Sequence, residues 1–180
     1  MPKLQLNLLP RGSAIISACG SYRYELRRVW KDEAPPCVVG MLNPSTADAA
    51  ADDPTITRCI RRAEADGYGS LIVWNLGAGR ATEPKVWKQM NDPVGPDNSS
   101  HIRRILIECR ARGGLALVGW GSHGSHLNCD AVAVAIAKEV GITLHCLGVT
   151  KGGQPKHPLY VGYDQRPVKW RASDVENSER

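Results

Sequence analysis

The chain contains no Phe, no Cys-x-x-Cys pair, no internal repeat and no low-complexity tract. Five Trp and five Tyr carry the aromatic load instead. The six Cys stand alone at positions 19, 37, 59, 109, 129 and 146, so a zinc or iron–sulfur site has little support. Cys37, Cys59 and Cys146 lie inside apolar periodic segments and read as small core residues. No stretch is long and apolar enough to cross a bilayer, and Met1 to Arg11 lacks the sustained apolar run of a secretory signal. Scattered thiols without such a signal point to a reducing cytoplasm.

What is present is an ordinary globular balance. The 180 residues suffice for one domain with a real core and are too few for two comfortable ones. A formal charge of +5 permits attraction to a polyanion without requiring it.

Residues 1–21 read as an irregular arm, 22–163 as a single α/β domain, and 164–180 as a polar tail. Tyr22 to Trp30 alternates like an edge strand or hairpin arm. Cys37 to Leu42 is a short apolar run that ends at Asn43-Pro44, the pattern of a buried strand. Ser45 and Asp48 have capping-box spacing, and Asp53-Pro54 offers a second helix start. From there Ile56, Cys59, Ile60 and Ala63 recur at helical spacing up to a stop at Gly67. Further strands are expected at 70–75, 115–119 and 142–147, and helices at 97–110 and 127–140 with a short one near 86–90.

Strand and helix therefore alternate, and crossovers of this length join parallel strands. The expected fold is a three-layer α/β/α sandwich around a mainly four-stranded parallel sheet. Ligands in such sheets bind beyond the carboxyl ends of the strands. The residues just past those ends are Asn43-Pro44-Ser45, Asn75-Leu76-Gly77, Trp120-Gly121-Ser122-His123 and the loop from Lys151 to His157. Polar groups converge there on one edge.

Four segments at that edge carry a resemblance. Gly40-Met41-Leu42-Asn43-Pro44-Ser45 resembles the first active-site motif of the uracil-DNA glycosylase superfamily, in the Asn form of its mismatch-specific uracil/thymine branch. Leu71 to Leu76, running on to Arg80-Ala81-Thr82, resembles the strand whose terminal Asn reads the base edge. Leu117 to Ser122 resembles the third core strand with its Trp-Gly-Ser ending, and Lys156-His157-Pro158-Leu159 the His-Pro-Ser motif of the minor-groove loop. All four stand in the family's order between about Cys37 and Val161. The segments Asn43 to Asp48, Arg80 to Thr82 and His157 to Tyr160 are also similar to a bacterial and phage family described only as a domain of unknown function.

The glycosylase resemblance implies a uracil-DNA glycosylase-like sandwich that excises a modified or damaged base by hydrolysis, with DNA as partner and neither metal nor cofactor. It implies that Asn43 positions the attacking water through its side-chain carbonyl, since an amide cannot accept a proton at neutral pH. His157 would hydrogen-bond the leaving base. Asn75 would pair with the ring amide of a pyrimidine, with Leu42, Pro44 and Trp120 shaping the pocket. Ser45, Arg80, Ser122, Lys151 and Lys156, in loops at the same edge, are the phosphate candidates. The chain departs from the family in having Ser45 after the first motif's Pro and Leu159 in place of the His-Pro-Ser serine, with no clear intercalating wedge. Two further readings use the same pocket: a non-catalytic binder of a base or nucleic acid, and a hydrolase of free nucleosides or nucleotides.

Other features take plainer readings. His123 and His126 near Asp130 lack a third ligand for a metal. Ser122 beside His123 gives no triad geometry. The Gly-rich run around them could cradle a phosphate at the next helix. Arg58, Arg61 and Arg62, like Arg103 and Arg104, read as solvated helix faces. Asp48 and Asp53 read as caps, one of which could also reinforce the water site.

Overall fold

The computed structural model describes residues 11–171. Its sheet has seven strands in the order β1-β2-β4-β3-β5-β6-β7. The strands are β1 (Arg11–Ile16), β2 (Arg23–Val29), β3 (Pro36–Met41), β4 (Ser70–Asn75), β5 (Leu115–Val118), β6 (Leu144–Cys146) and β7 (Val168–Lys169). The four in the middle, β4, β3, β5 and β6, run parallel. The β1-β2 hairpin closes one side antiparallel and β7 closes the other.

Every residue of β3 and β4 is buried, as their unbroken apolar runs require of strands covered on both faces. Helix α1 (Pro54–Ala65) covers one face, where Ile56, Cys59, Ile60 and Ala63 pack against Cys37, Val39, Leu71 and Val73. Helices α3 (Asn98–Ala111) and α4 (Cys129–Val140) cover the other, where Ile102, Ile105, Leu106 and Cys109 meet Val38, Ile72, Trp74 and Val118. A short α2 (Pro84–Lys88) buries Trp87 in that same cluster. Helices on both faces make the molecule a mixed α/β sandwich. The helical period places the named core residues of α1 and α3 as found.

The helix boundaries follow from local chemistry. Asp53 accepts a hydrogen bond from the Ile56 N–H at 2.9 Å, with Pro54 at the first helical position, where it forfeits no intrahelical bond. At its other end α4 stops on Gly141 at φ 72°, a left-handed conformation that favours glycine.

Four sequence expectations require correction. Residues 11–16, read as an irregular arm, form the edge strand β1; residues 1–10 lie outside the description. Within the expected tail, residues 168–169 form β7 and Trp170 is buried in the core; residues 172–180 lie outside the description. No helix starts at Ser45. Asp48 instead accepts from the N–H groups of Ala50 and Ala51, and Arg28 on β2 takes the carbonyls of Asp48 and Ala51. The backbone there is satisfied by an arginine, and nothing remains to drive helix formation. Arg58 and Arg62 are not a solvated face either. Arg58 donates to the Val161 carbonyl at 2.6 Å, and buried Arg62 donates to the carbonyls of Gly162 and Gln165 at 2.7 Å each. Both guanidiniums lie over the Tyr163 ring, so they fasten the C-terminal segment onto α1.

No described helix is long and apolar enough to cross a membrane.

Candidate active site

Chain order reverses direction across the sheet at β3: the chain steps from β3 to β4 on one side, then returns to β5 on the other. The crevice at such a switch point is where open α/β sheets take ligands. A cavity of about 760 Å³ lies there, within the size range of small-molecule sites. Its wall is built from the end of β3 (Met41, Leu42, Asn43), the segment after β5 (Trp120, Gly121, Ser122), the first turn of α1, and the loop carrying Lys156 and His157.

Asn43 is fixed by its amide. Its Nδ2 donates to the Ala81 carbonyl at 2.6 Å and to the Pro44 carbonyl at 3.2 Å. Both partners are acceptors only, which decides the orientation of the amide and leaves Oδ1 as the end facing away from them. Oδ1 has no hydrogen-bond partner among the described residues, and Asn43 borders the cavity.

His157 is fixed by its loop. The chain from Gly148 to Lys156 folds back on itself, with Lys156 N–H donating to Gly148 and Thr150 N–H to Gln154. Gln154 is buried and locks the loop to the core, accepting from Trp120 Nε1 at 2.6 Å and donating to Asp130 at 2.8 Å. Gly119 completes the fit: a Cβ there would stand 2.6 Å from the Pro158 ring, so only glycine lets the His-Pro segment lie against the end of β5. Within this setting His157 Nδ1 accepts from the Leu159 N–H at 3.4 Å. A ring nitrogen that accepts carries no proton, so the proton of the neutral ring sits on Nε2. Burial lowers the His157 pKa, opposed in part by the negative charge of Asp53, so the ring is a neutral Nε2–H donor near pH 7.

Of the residues singled out in the sequence, Leu42, Asn43, Ser45, Trp120, Ser122, Lys156 and His157 share this wall. Trp120 borders it while buried in the core against Trp74 and Trp170. Four others do not border it. Asn75 is buried behind the end of β4, with Asn98 of α3 donating to its backbone carbonyl at 3.0 Å and its own Nδ2 unpartnered. Pro44 is buried, its carbonyl taken by the Ala81 N–H and the Asn43 amide. Arg80 is exposed and donates to the Gly20 carbonyl at 3.2 Å, and Lys151 is exposed on a turn. His123 and His126 point to different neighbours, Lys88 and the Trp87 ring.

Two further charged residues border the wall, Asp53 and Arg23. Asp53 reads in the sequence as a cap that could also serve the water site; it is the cap of α1, and its carboxylate borders the cavity, which Asp48 does not. Arg23 on β2 was missed. It looks like the outward member of an alternating strand, yet it is only 2% exposed because the 44–52 loop folds over it. Its Nη1 donates to the Ala47 carbonyl. It forms no ion pair among the described residues, and burial takes its pKa down to about 10, against the pull of Asp53. No periodicity could have signalled this, since the covering loop is distant in sequence.

No curated protein and no solved structure matches the chain. The profile of one family, described as a protein of unknown function, matches residues 23–159. That span holds both Arg23 and His157, and every residue that borders the cavity except Tyr160. Nothing in these comparisons links the chain to uracil-DNA glycosylases, and the family description names no reaction. The chain belongs to the family DUF1643.

Proposed function

We propose that the cavity hydrolyses the N-glycosidic bond of a nucleotide unit, releasing a modified or damaged base. The observation that carries this reading is the pairing of an oriented acceptor, Asn43 Oδ1, with an oriented neutral donor, His157 Nε2–H, on one cavity wall. In the reaction a water oxygen bonds to C1′ of the sugar, and the electron pair of the C1′–N bond leaves with the base. Positive charge builds on the sugar and negative charge on the base. Asn43 Oδ1 holds the water, and His157 Nε2–H hydrogen-bonds the departing base without transferring a proton in advance. Asp53 is the carboxylate on the wall that can take the water's proton and offset the sugar's charge. The resemblance of four ordered motifs to uracil-DNA glycosylases supports the same chemistry. The base-edge role implied for Asn75 is not part of the proposal, because that side chain does not border the cavity.

The test is base release, followed by mass spectrometry, from pooled single- and double-stranded DNA carrying uracil, mismatched thymine, deaminated purines and bulky pyrimidine modifications. A free base that disappears in both Asn43→Ala and His157→Ala is the expected result. Release unchanged in both variants would sink the mechanism. One observation favours a second reading, a non-catalytic binder: Asn43 cannot itself accept a proton. Salt-sensitive DNA binding with no base released from any substrate would select it.

A further inference from the structure

Arg23 is the least explained charge in the molecule. Its neighbour on the same strand, Arg28, is also buried, but Asp52 closes an ion pair with it at 2.8 Å. Glu25, between them, is paired with both Arg27 and Arg104. Arg23 alone of these buried β2 charges has no oppositely charged partner in contact among the described residues. A buried guanidinium left in this way is costly unless something pairs with it. Only Nη1 is engaged, by a neutral carbonyl, so Nε and Nη2 have no protein acceptor among the described residues. Arg23 borders the cavity, and so do Lys156 and the first turn of α1, whose positive dipole end favours an anion. Asp53 borders it too, its Oδ1 accepting from the Ile56 N–H, and its charge acts on Arg23 without contact.

We infer that Arg23 is the anion-recognition group of this cavity, and that its ligand carries a phosphate received by the Nε and Nη2 donors. The planar fork of a guanidinium binds two oxygens of a phosphate side by side, which a lysine cannot reproduce. A cavity of about 760 Å³ has room for a sugar and base beside that phosphate. A free nucleoside monophosphate and a DNA phosphodiester present the same chemistry. The inference deepens the proposed function by naming the ligand's anchoring group, and it rests on that reading only for the identity of the remainder.

The experiment reads binding, so that it can fail independently of base release. Inorganic phosphate, the common deoxynucleosides, their 5′-monophosphates with deoxyuridine monophosphate, and a single-stranded oligodeoxynucleotide are titrated into the wild-type protein, Arg23→Lys and Arg23→Gln. The Arg23 Nε–H cross-peak of ¹⁵N-arginine-labelled wild type is followed by NMR. The expected result is a phosphate-dependent shift of that cross-peak. Monophosphates should bind at least tenfold more tightly than nucleosides in wild type, with the preference lost in Arg23→Gln and not restored in Arg23→Lys. A competing oligonucleotide that moves the same cross-peak assigns the phosphate to DNA; monophosphates acting alone assign it to free nucleotides. If Arg23→Gln fails to fold, the wild-type cross-peak decides. A cross-peak indifferent to phosphate, or equal affinity for nucleoside and monophosphate in wild type, would overturn the inference. Phosphate binding without base release would overturn the proposed reaction instead.

Discussion

Asn43 and Asn75 occupy matching places: each follows an apolar run, and their strands lie side by side in parallel, with Met41 in register with Asn75. Their fates differ. Beyond β3 the chain turns away, and Asn43, its amide Nδ2 pinned by Ala81 and Pro44, borders the cavity with Oδ1 unpartnered among the described residues. Beyond β4, Asn98 of α3 reaches in and takes the carbonyls of both Asn75 and Leu76, at 3.0 and 2.9 Å, and seals that strand end. An identical sequence signal thus gives one site residue and one scaffold residue. The deciding factor is the helix packed over each strand end: the first turn of α1 stops at the cavity rim, whereas α3 plugs the neighbouring position with a side chain.

Variants at the two asparagines sharpen this contrast most. Under the proposed reaction, Asn43→Ala should lower the rate of base release by roughly 10²–10³-fold, the scale of losing one oriented hydrogen-bonding group in a closed site. Asn75→Ala should alter it by no more than a few-fold once the protein is folded. Single-turnover rates for both variants, on a substrate found in the release assay, check this; a larger loss at Asn75 would break the comparison. The next effect is on stability. Asn98→Ala removes two buried hydrogen bonds to backbone carbonyls, so it should destabilise the fold by roughly 1–3 kcal/mol, read from urea unfolding. A midpoint unchanged from wild type would show that the plug over β4 contributes nothing.

The smallest effect concerns pH. Burial sets the folded pKa of His157 below its ordinary value of 6.5, so the folded state binds this proton less readily than the unfolded chain. The contribution of His157 to stability is therefore complete above about pH 6.5 and declines as the pH falls from there towards its lower folded pKa. An NMR titration of the His157 ring should give a midpoint below 6.5, and protonation should weaken the Leu159 N–H contact at Nδ1. A midpoint above 6.5 would remove the case for a neutral donor at the open strand end.

Much of the fold was legible because it rests on local periodicity. Ile56, Cys59, Ile60 and Ala63 on α1 and Ile102, Ile105, Leu106 and Cys109 on α3 follow helical spacing and are buried. The apolar runs of β3 and β4 are buried throughout. The strand-end rule likewise brought Asn43, Trp120, Ser122 and His157 to one cavity. The false helix start at Ser45 shows where such reading stops. Capping-box spacing was present, but Arg28 competes for the carbonyls that a helix would have used. Arg58 and Arg62 were legible as helical and illegible as fasteners, because their acceptors lie about a hundred residues further along the chain.

The sequence by itself therefore determined not the edge strands β1 and β7 but the central strands and the long helices, their alternation, the parallel core and the edge at which polar groups gather. These depend on neighbours within one or two turns, where hydrophobic burial and capping act locally. Only the tertiary structure decided which of those polar groups face open space. It left Asn43 at the cavity and sealed Asn75, set the His157 tautomer through Leu159, and buried Arg23 beside the cavity with no carboxylate in contact among the described residues. Each of these outcomes depends on backbone groups that are brought close by folding, and hydrogen bonds and desolvation act over a few ångströms of space regardless of separation along the chain.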